Sequence, residues 1–352
     1  PGGLEVLPDG RLAVGTRRGD IYFVRGAFDS PPRPEYHLFA SGQDEVFSLS
    51  WKDGAMTATS WAEVTRITDS DADGVADRYD TLSNNWGYAE GHEFAFASKH
   101  DPAGDIWVAL GLSSSYESHN LFRGWAVKIT PQGQMIPVCS GLRSPGGIAA
   151  NTQGEMFVIE SQGPWNGSCS LKHLKPGGFL GHPASYNWYA FTKDLKEPVK
   201  PNSNSRLHLE RKRVKELVPP AVRFPYIKMG RSISGFRLDQ TGGKFGPFAG
   251  QFFLGDYTLS ILLRATTEQV NGVWQGACYP FREGLATGTM NVEFSPQGQL
   301  VAGGFTTNAQ WPVRGTEPFA LQRIDWSGIT PFEVKEINIK PDGFLLTFTL
   351  PV

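Results

Sequence analysis

The feature that most restricts the fold is a repeated unit of turn, apolar strand, short loop and second apolar strand. It reads L-P-D-G-R-L-A-V-G-T-R-R-G-D-I-Y-F-V over Leu7–Val24 and W-K-D-G-A-M-T-A-T-S-W-A-E-V-T-R-I-T over Trp51–Thr68. Four more copies follow: Asp101–Gly111 with Gly124–Gly133, Asn151–Gly178, Phe248–Ala265, and Ser295–Thr306 with Phe319–Trp326. The spacing averages about 50 residues per unit, the length of a β-propeller blade. A lone sheet of this kind cannot bury both of its faces. Radial stacking covers them and leaves a central funnel with loops at its mouth. The expected fold is therefore all-β, a six-bladed β-propeller over residues 1–329; an unrelated β-sandwich does not explain six regular copies.

Two segments break the pattern. Residues 193–220 are charged and turn-rich, with a short helix expected near Leu207–Leu217, and read as an excursion between blades four and five at the funnel rim. Residues 330–352 carry two alternating strands, Glu333–Ile339 and Phe344–Thr349, around K-P-D-G. This tail either closes the last blade or begins a following β-sandwich; the second is preferred because six units are already complete.

Composition excludes several classes of function. A formal net charge of −2 gives no electrostatic case for nucleic acid or an anionic membrane surface. No apolar run approaches the roughly 18–20 residues of a membrane span. Cys139, Cys169 and Cys278 form no C-x-x-C, so neither a zinc ribbon nor a c-type haem site is available. One disulfide with a free thiol and three buried thiols both remain open. The chain opens at Pro1, which suits either a fragment or a processed export product, and the expected compartment is periplasmic or extracellular.

The strongest local motif is D-x-D-x-D-G-x-x-D at Asp69, Asp71, Asp73, Gly74 and Asp77. Alternate carboxylates converge on one hard cation, glycine allows the sharp turn, and the Val75 carbonyl fills a further position. Asp80 stands where a longer loop would place its last acid, but no helices flank the motif. A structural calcium loop between strands is expected, against the plainer reading of a solvated acidic turn.

Residues far apart in the chain are expected to meet in the funnel. His92 heads the innermost strand of blade three, where an imidazole with an ordinary pKa of about 6.5 suits a general base. Arg143 and Arg231 occupy the equivalent loops of blades four and five, and Arg314 follows the second strand of blade six. Guanidiniums converging there suit carboxylates or sugar hydroxyls; a structural histidine and inter-blade ion pairs are the plainer alternatives. Asp256 and Tyr257 end a strand in blade five. The Gly/Pro/Asn-rich loop Ser161–Ser170 is the irregular segment best suited to carry function.

The stretch S-G-L-R-S-P-G-G-I-A-A-N-T-Q-G-E-M-F-V-I-E-S-Q-G-P, Ser140–Pro164, resembles the signature of the glucose/sorbosone dehydrogenase family, soluble quinoproteins built as six-bladed propellers. Three further phrases, D-S-D-A-D-G-V-A-D-R-Y-D-T-L, L-K-P-G-G-F-L-G-H-P and T-G-G-K-F-G-P-F-A-G-Q-F-F-L-G-D, resemble large propeller proteins of planctomycetes and related bacteria. The family resemblance implies that His92 takes the proton from a sugar C1 hydroxyl as hydride passes to pyrroloquinoline quinone (PQQ). It implies that Arg143 contacts the quinone, and that carbonyls of Gln162, Gly163 and Pro164 hold a calcium that polarises it. Cation and arginine would stabilise charge growing on the quinone oxygen. The chain departs from the pattern in two places. Ser144 replaces the usual asparagine, and no basic residue stands near Asp256 or Thr289–Asn291, leaving Arg231 and Arg314 to take the missing cations' part in cofactor binding beside Arg143, Ser144 and Asp256.

The first functional expectation is thus a calcium-containing, PQQ-type aldose dehydrogenase with an external electron acceptor. A second is a cofactor-independent lyase or hydrolase acting on carbohydrate through Tyr88, Glu90, Glu93 and Asp256. A third is a non-enzymatic calcium-stabilised module that binds glycans or protein through Trp165, Trp188, Trp274 and Trp311.

Overall fold

The computed structural model describes residues 1–89, 93–306 and 312–352. His92, Glu90 and Trp311, singled out above, lie outside the described residues. Blade one is β1 (Leu4–Val6), β2 (Leu12–Gly15), β3 (Ile21–Arg25) and β4 (Glu35–Ala40). Blade two is β5 (Ser48–Lys52), β6 (Ala55–Thr59), β7 (Val64–Thr68) and β8 (Arg78–Ser83). Blade three is β9 (Ala97–His100), β10 (Ile106–Ala109), β11 (Trp125–Ile129) and β12 (Met135–Ser140). Blade four is β13 (Pro145–Ala150), β14 (Met156–Glu160), β15 (Ser170–His173) and β16 (Val222–Arg223). Blade five is β17 (Ile233–Leu238), β18 (Phe252–Asp256), β19 (Ile261–Val270) and β20 (Val273–Arg282). Blade six is β21 (Thr289–Phe294), β22 (Gln299–Phe305) and β23 (Phe319–Asp325). All pairings within the blades are antiparallel, and the first strands β1, β5, β9, β13, β17 and β21 neighbour one another in a closed ring. The fold is a six-bladed β-propeller.

Alternation explains why these strands need neighbours on both sides. In β14, Phe157 and Ile159 enter the cluster shared with blade five, whereas Met156 and Val158 face blade three. Successive side chains of a strand point to opposite faces, so a strand apolar at every position must be covered twice. Among the described residues each gap between consecutive blades holds its own buried apolar cluster. The last gap, between blades six and one, is filled by Leu4, Leu12, Val14, Val24 and Val301. Among the described residues no strand is exchanged to close the ring. Closure rests on that cluster, on Asn291 Nδ2 donating to the Gly2 carbonyl at 3.4 Å, and on Gly303, where a Cβ would meet the Leu4 side chain at 3.2 Å.

Charged side chains from four innermost strands meet on the axis. Lys99 Nζ lies 2.5 Å from Glu5 and 3.8 Å from Glu293, which in turn takes Arg237 Nε at 2.7 Å. Two cations and two carboxylates compensate one another where burial would penalise any one alone.

The inter-blade excursion begins earlier than its composition suggests. A 3-10 helix, Pro183–Phe191, precedes α1 (Leu207–Arg213), and Phe179 bridges both Ser140 of β12 and Leu217. Tyr186, Tyr189, Val214 and Leu217 thereby cover the outer side of blade three beside the buried Trp125. The tail forms a hairpin, β24 (Val334–Lys340) and β25 (Gly343–Phe348), so it is not the closing strand of blade six. It docks on blade five instead: Arg264 reaches Glu333 at 3.0 Å, and Tyr279 Oη accepts from the Ile337 N–H at 2.9 Å. The three cysteines are free thiols, with Cys139 and Cys169 buried. Among the described residues no helix is long and apolar enough to cross a membrane.

Leu4 is fully buried at the closing interface. Leu4→Ala is expected to cost about 2–5 kcal/mol of unfolding free energy, as for other buried leucines. Urea denaturation measures it, and a cost near zero means that the β1–β21 seam is not what closes the ring.

Candidate functional site

Every blade runs its first strand away from one face of the propeller and its second strand back to it. The links before the first strands and after the second strands therefore gather at that face, around the axis. They enclose a cavity of about 570 Å³, within the range typical of small-molecule sites. Phe94 and Phe96 stack at 4.2 Å on one side with Phe47 against Phe96 at 4.7 Å, and Phe305 and Tyr257 come from blades six and five.

Arg143 is held by a buttress built into blade four. Glu160, fully buried at the end of β14, accepts the backbone N–H groups of Arg143 and Ser144, and Lys172 Nζ neutralises it at 2.5 Å. The guanidinium donates to the Gln162 carbonyl at 2.7 Å and to Ser115 Oγ at 2.9 Å. It lies flat on Gly163, where a Cβ would come within 2.4 Å of it, so only glycine allows this placement. Its Nε is buried and has no partner among the described residues. Burial draws its pKa down from the ordinary arginine range, and the Glu160 carboxylate opposes that shift.

Arg231 reaches the same cavity from the link between blades four and five. Its backbone N–H is fixed by Asp256 Oδ2 at 2.7 Å, and among the described residues its guanidinium has no hydrogen-bond or ion-pair partner. Arg143, Ser144, Gln162 and Arg231 thus line one cavity. Asp256 lies beneath it, fully buried, with its carboxylate spent on the N–H groups of Arg231, Ser232 and Leu259. Burial raises its pKa, against the pull of those N–H donors. Arg314 is outside the lining; its backbone N–H bonds the Thr258 carbonyl at 3.0 Å. Two lining groups carried no signal in the repeat pattern alone, Arg17 in the β2–β3 loop and Glu45 before β5. Glu45 occupies in blade two the place that Arg143 occupies in blade four, and aligning the links between blades would have found it.

The acids of the hydrolytic alternative are mostly engaged. Glu93 is buried and accepts from the Ala89 N–H at 2.6 Å, Asn120 Nδ2 at 2.6 Å and Ser113 Oγ, with Arg123 at 3.8 Å. Tyr88 is partly exposed and tilted against Trp61 at 5.4 Å. The three described tryptophans of the set do not form one face either. Trp274 is in the core between blades four and five, Trp188 packs beside blade three, and Trp165 is exposed.

The two calcium expectations separate. At Gln162–Pro164 the residues do not suit a dication. The Gln162 carbonyl already takes a guanidinium at 2.7 Å, Gly163 exchanges both backbone bonds with Asn166 at 2.7 and 3.0 Å, and the nearby Glu160 carboxylate is already committed to Lys172 and to the Arg143 and Ser144 N–H groups. Carboxylate oxygens of Asp69, Asp71 and Asp73, by contrast, lie within 4.8 Å of one another in the β7–β8 loop, with Gly74 at φ 97°. That donor set suits a hard cation. Asp77 is turned aside onto the Ser70 N–H at 2.9 Å and hydroxyl, which hold its pKa below the usual carboxylate range. Asp80 pairs with Arg78 at 2.8 Å, and the Val75 N–H is taken by Asp73 at 2.8 Å. The loop joins β7 to β8 on the face opposite the cavity, so a cation there is remote from the funnel.

The sequence matches no protein-family profile and no curated protein. Solved structures do resemble the chain. A glucose dehydrogenase-type oxidoreductase of Thermus thermophilus superposes with a TM-score of 0.65 at 18% identity, over 92% of this chain and 96% of that one. The PQQ-bound aldose sugar dehydrogenase of Streptomyces coelicolor gives 0.59 at 16% identity, over 92% and 93%. The PQQ domain of a Coprinopsis cinerea pyranose dehydrogenase, in its holo form, gives 0.61 at 13% identity, over 86% and 89%. The chain has the fold of the quinoprotein sugar dehydrogenases. At these identities the likeness is one of fold, and function rests on the site.

His182 ties the excursion to the cavity wall. Its Nε2–H donates to the Ser115 carbonyl at 3.0 Å while Nδ1 accepts the Ala184 N–H at 3.3 Å, the pattern of a neutral imidazole. Burial lowers its pKa to about 4, and burial does the same at His100. Between pH about 6.5 and about 4 the unfolded chain binds more protons at both sites, so stability present above 6.5 falls as pH drops through that window. The melting temperature is expected to fall across it, and less steeply in His182→Gln. Equal slopes for the two proteins mean that His182 is not buried neutral.

Proposed function

We propose that the funnel is the active site of a sugar-oxidising enzyme, an aldose dehydrogenase of PQQ type that passes its electrons to an external acceptor. The observation that carries the reading is a pair of arginines from neighbouring links, Arg143 and Arg231. Both line an aromatic-walled cavity, with Arg143 Nε and the Arg231 guanidinium left without partners among the described residues, in a fold whose solved relatives include PQQ-bound sugar dehydrogenases. An unpartnered donor that is buried costs about 1–3 kcal/mol, a cost that an anionic ligand removes. The residues present fit a planar aromatic polycarboxylate, with guanidiniums for its carboxylates and phenyl rings for its faces.

When bound, the quinone supplies the electron sink for oxidation of the sugar. The chain's residues bind and orient. Arg143, immobilised on Gly163 and between Gln162 and Ser115, offers a fixed donor direction; Arg231, free at its tip, adapts; Phe47, Phe94 and Phe96 exclude water from one wall. Such preorganised donors act strongly because they need no reorganisation as charge develops. Proton removal is assigned by resemblance to His92, outside the described residues. The Asp69–Asp71–Asp73 loop is proposed to hold a structural calcium, and the periplasm or cell exterior is proposed as the compartment.

Titration with PQQ, followed by absorbance and by dye reduction with aldoses, tests the reading. Arg143→Met and Arg231→Met are each expected to weaken quinone binding about tenfold to a hundredfold, the worth of a charge-assisted hydrogen bond. A wild-type protein that neither binds the quinone nor reduces the dye with any aldose ends the proposal. Calcium is expected to raise the melting temperature, with a stabilisation of about 2.7 kcal/mol at a hundred times the dissociation constant. Asp71→Asn/Asp73→Asn is expected to abolish that response, and a response retained in the double variant removes the loop from consideration.

A further inference from the structure

The cavity has an acceptor as well as donors. Arg17 donates two N–H bonds to one oxygen of Glu45, Oε1, with its Nε at 2.7 Å. The other oxygen, Oε2, is buried and has no hydrogen-bond partner among the described residues, on a side chain that is 16% exposed and lines the cavity. Of the buried polar atoms left unpartnered among the described residues, Arg143 Nε and Glu45 Oε2 are the two that belong to the cavity lining. One is a donor and the other an acceptor. They also stand apart. Glu45 lies in the link between blades one and two, three sixths of the ring from the link between blades four and five that carries Arg231. Across the cavity from Arg143 and Arg231, therefore, stands an ion pair, in which the Arg17 guanidinium occupies Oε1 of Glu45 and leaves Oε2 without a donor among the described residues.

We propose that Glu45 Oε2 is the anchor for the hydroxyl groups of a neutral sugar and rejects sugar acids at that end of the pocket. The inference rests on the sugar-oxidising reading and deepens it by assigning the substrate wall and its chemical selectivity. A hydroxyl donates to a carboxylate oxygen that otherwise stays desolvated without compensation. A carboxylate on the ligand has no proton to donate to Oε2 and meets its negative charge at close range, a charge that Arg17 offsets only from the Oε1 side. Arg17 fixes the orientation: by engaging Oε1 from the side, it leaves Oε2 as the one free acceptor of the pair. Asp44, adjacent in sequence, is exposed and accepts the Glu45 N–H at 2.9 Å, so it shares the local charge but not the wall.

The test measures binding of D-glucose and D-glucuronate by calorimetry and ligand-observed NMR, with PQQ absent and present. Wild type, Glu45→Gln, Glu45→Ala and Asp44→Asn are compared, and melting temperature checks the fold. Wild type is expected to prefer glucose, Glu45→Gln to bind glucose about tenfold more weakly and to bind glucuronate more tightly, and Asp44→Asn to keep the wild-type ratio. An unchanged ratio in both Glu45 variants overturns the proposal while leaving a sugar dehydrogenase intact if dye reduction persists. Glucose binding that responds to Glu45 in a protein that never reduces the dye upholds the sugar wall and removes the dehydrogenase. Failure of the wild type to bind either sugar, with or without the quinone, overturns both.

Discussion

Everything in this molecule follows from sheets that are apolar on both faces. A strand such as β14, with Phe157 and Ile159 on one side and Met156 and Val158 on the other, has no solvent-facing side to offer. It is stable only between two other sheets. Six such sheets around an axis give each one two neighbours, provided the last meets the first. The seam made by Leu4, Leu12, Val14, Val24 and Val301 is where that condition is met. The axial cluster of Glu5, Lys99, Arg237 and Glu293 adds directionality, because each charge needs a partner from a different blade.

The site is a by-product of the same closure. The links before first strands and after second strands converge on one face, so Arg143, Arg231, Arg17 and Glu45 meet although they lie on different blades. The scaffold spends buried groups on fixing them. Glu160 and Lys172 hold the backbone before β13, and Asp256 holds the backbone before β17. Asp256 is thus a support for Arg231 and not a group presented to the ligand. The same reasoning separates Arg143 from a metal: a guanidinium seated on Gly163 and bonded to Gln162 supplies the positive charge that a dication would otherwise bring there.

Much of the architecture was legible in the chain. The repeat of turn and paired strands announced six sheets, because period-two alternation and turn residues are local properties. The D-x-D-x-D-G loop was legible for the same reason, and its three aspartates do cluster. Arg143 and Arg231 were found by their equivalent positions in successive units, Ser144 and Gln162 through the family resemblance, and the four share a cavity. The tail's packing partner was not legible. Its two strands are evident from alternation, but docking on blade five depends on Arg264, Gln251 and Tyr279, distant in sequence and typical of any strand.

By itself, then, the sequence determined the number and kind of the sheets, the turn chemistry between them, the carboxylate loop and the set of residues able to reach a funnel. These depend on periodicity and on spacing within a few residues. Only the tertiary structure decided which polar atoms are satisfied. Glu93 and Asp256 are consumed by neighbours, while Arg143 Nε and Glu45 Oε2, on residues that line the cavity, are left without a partner among the described residues. Whether a donor or acceptor is free is a property of every group around it, and those groups come from all sides of the ring.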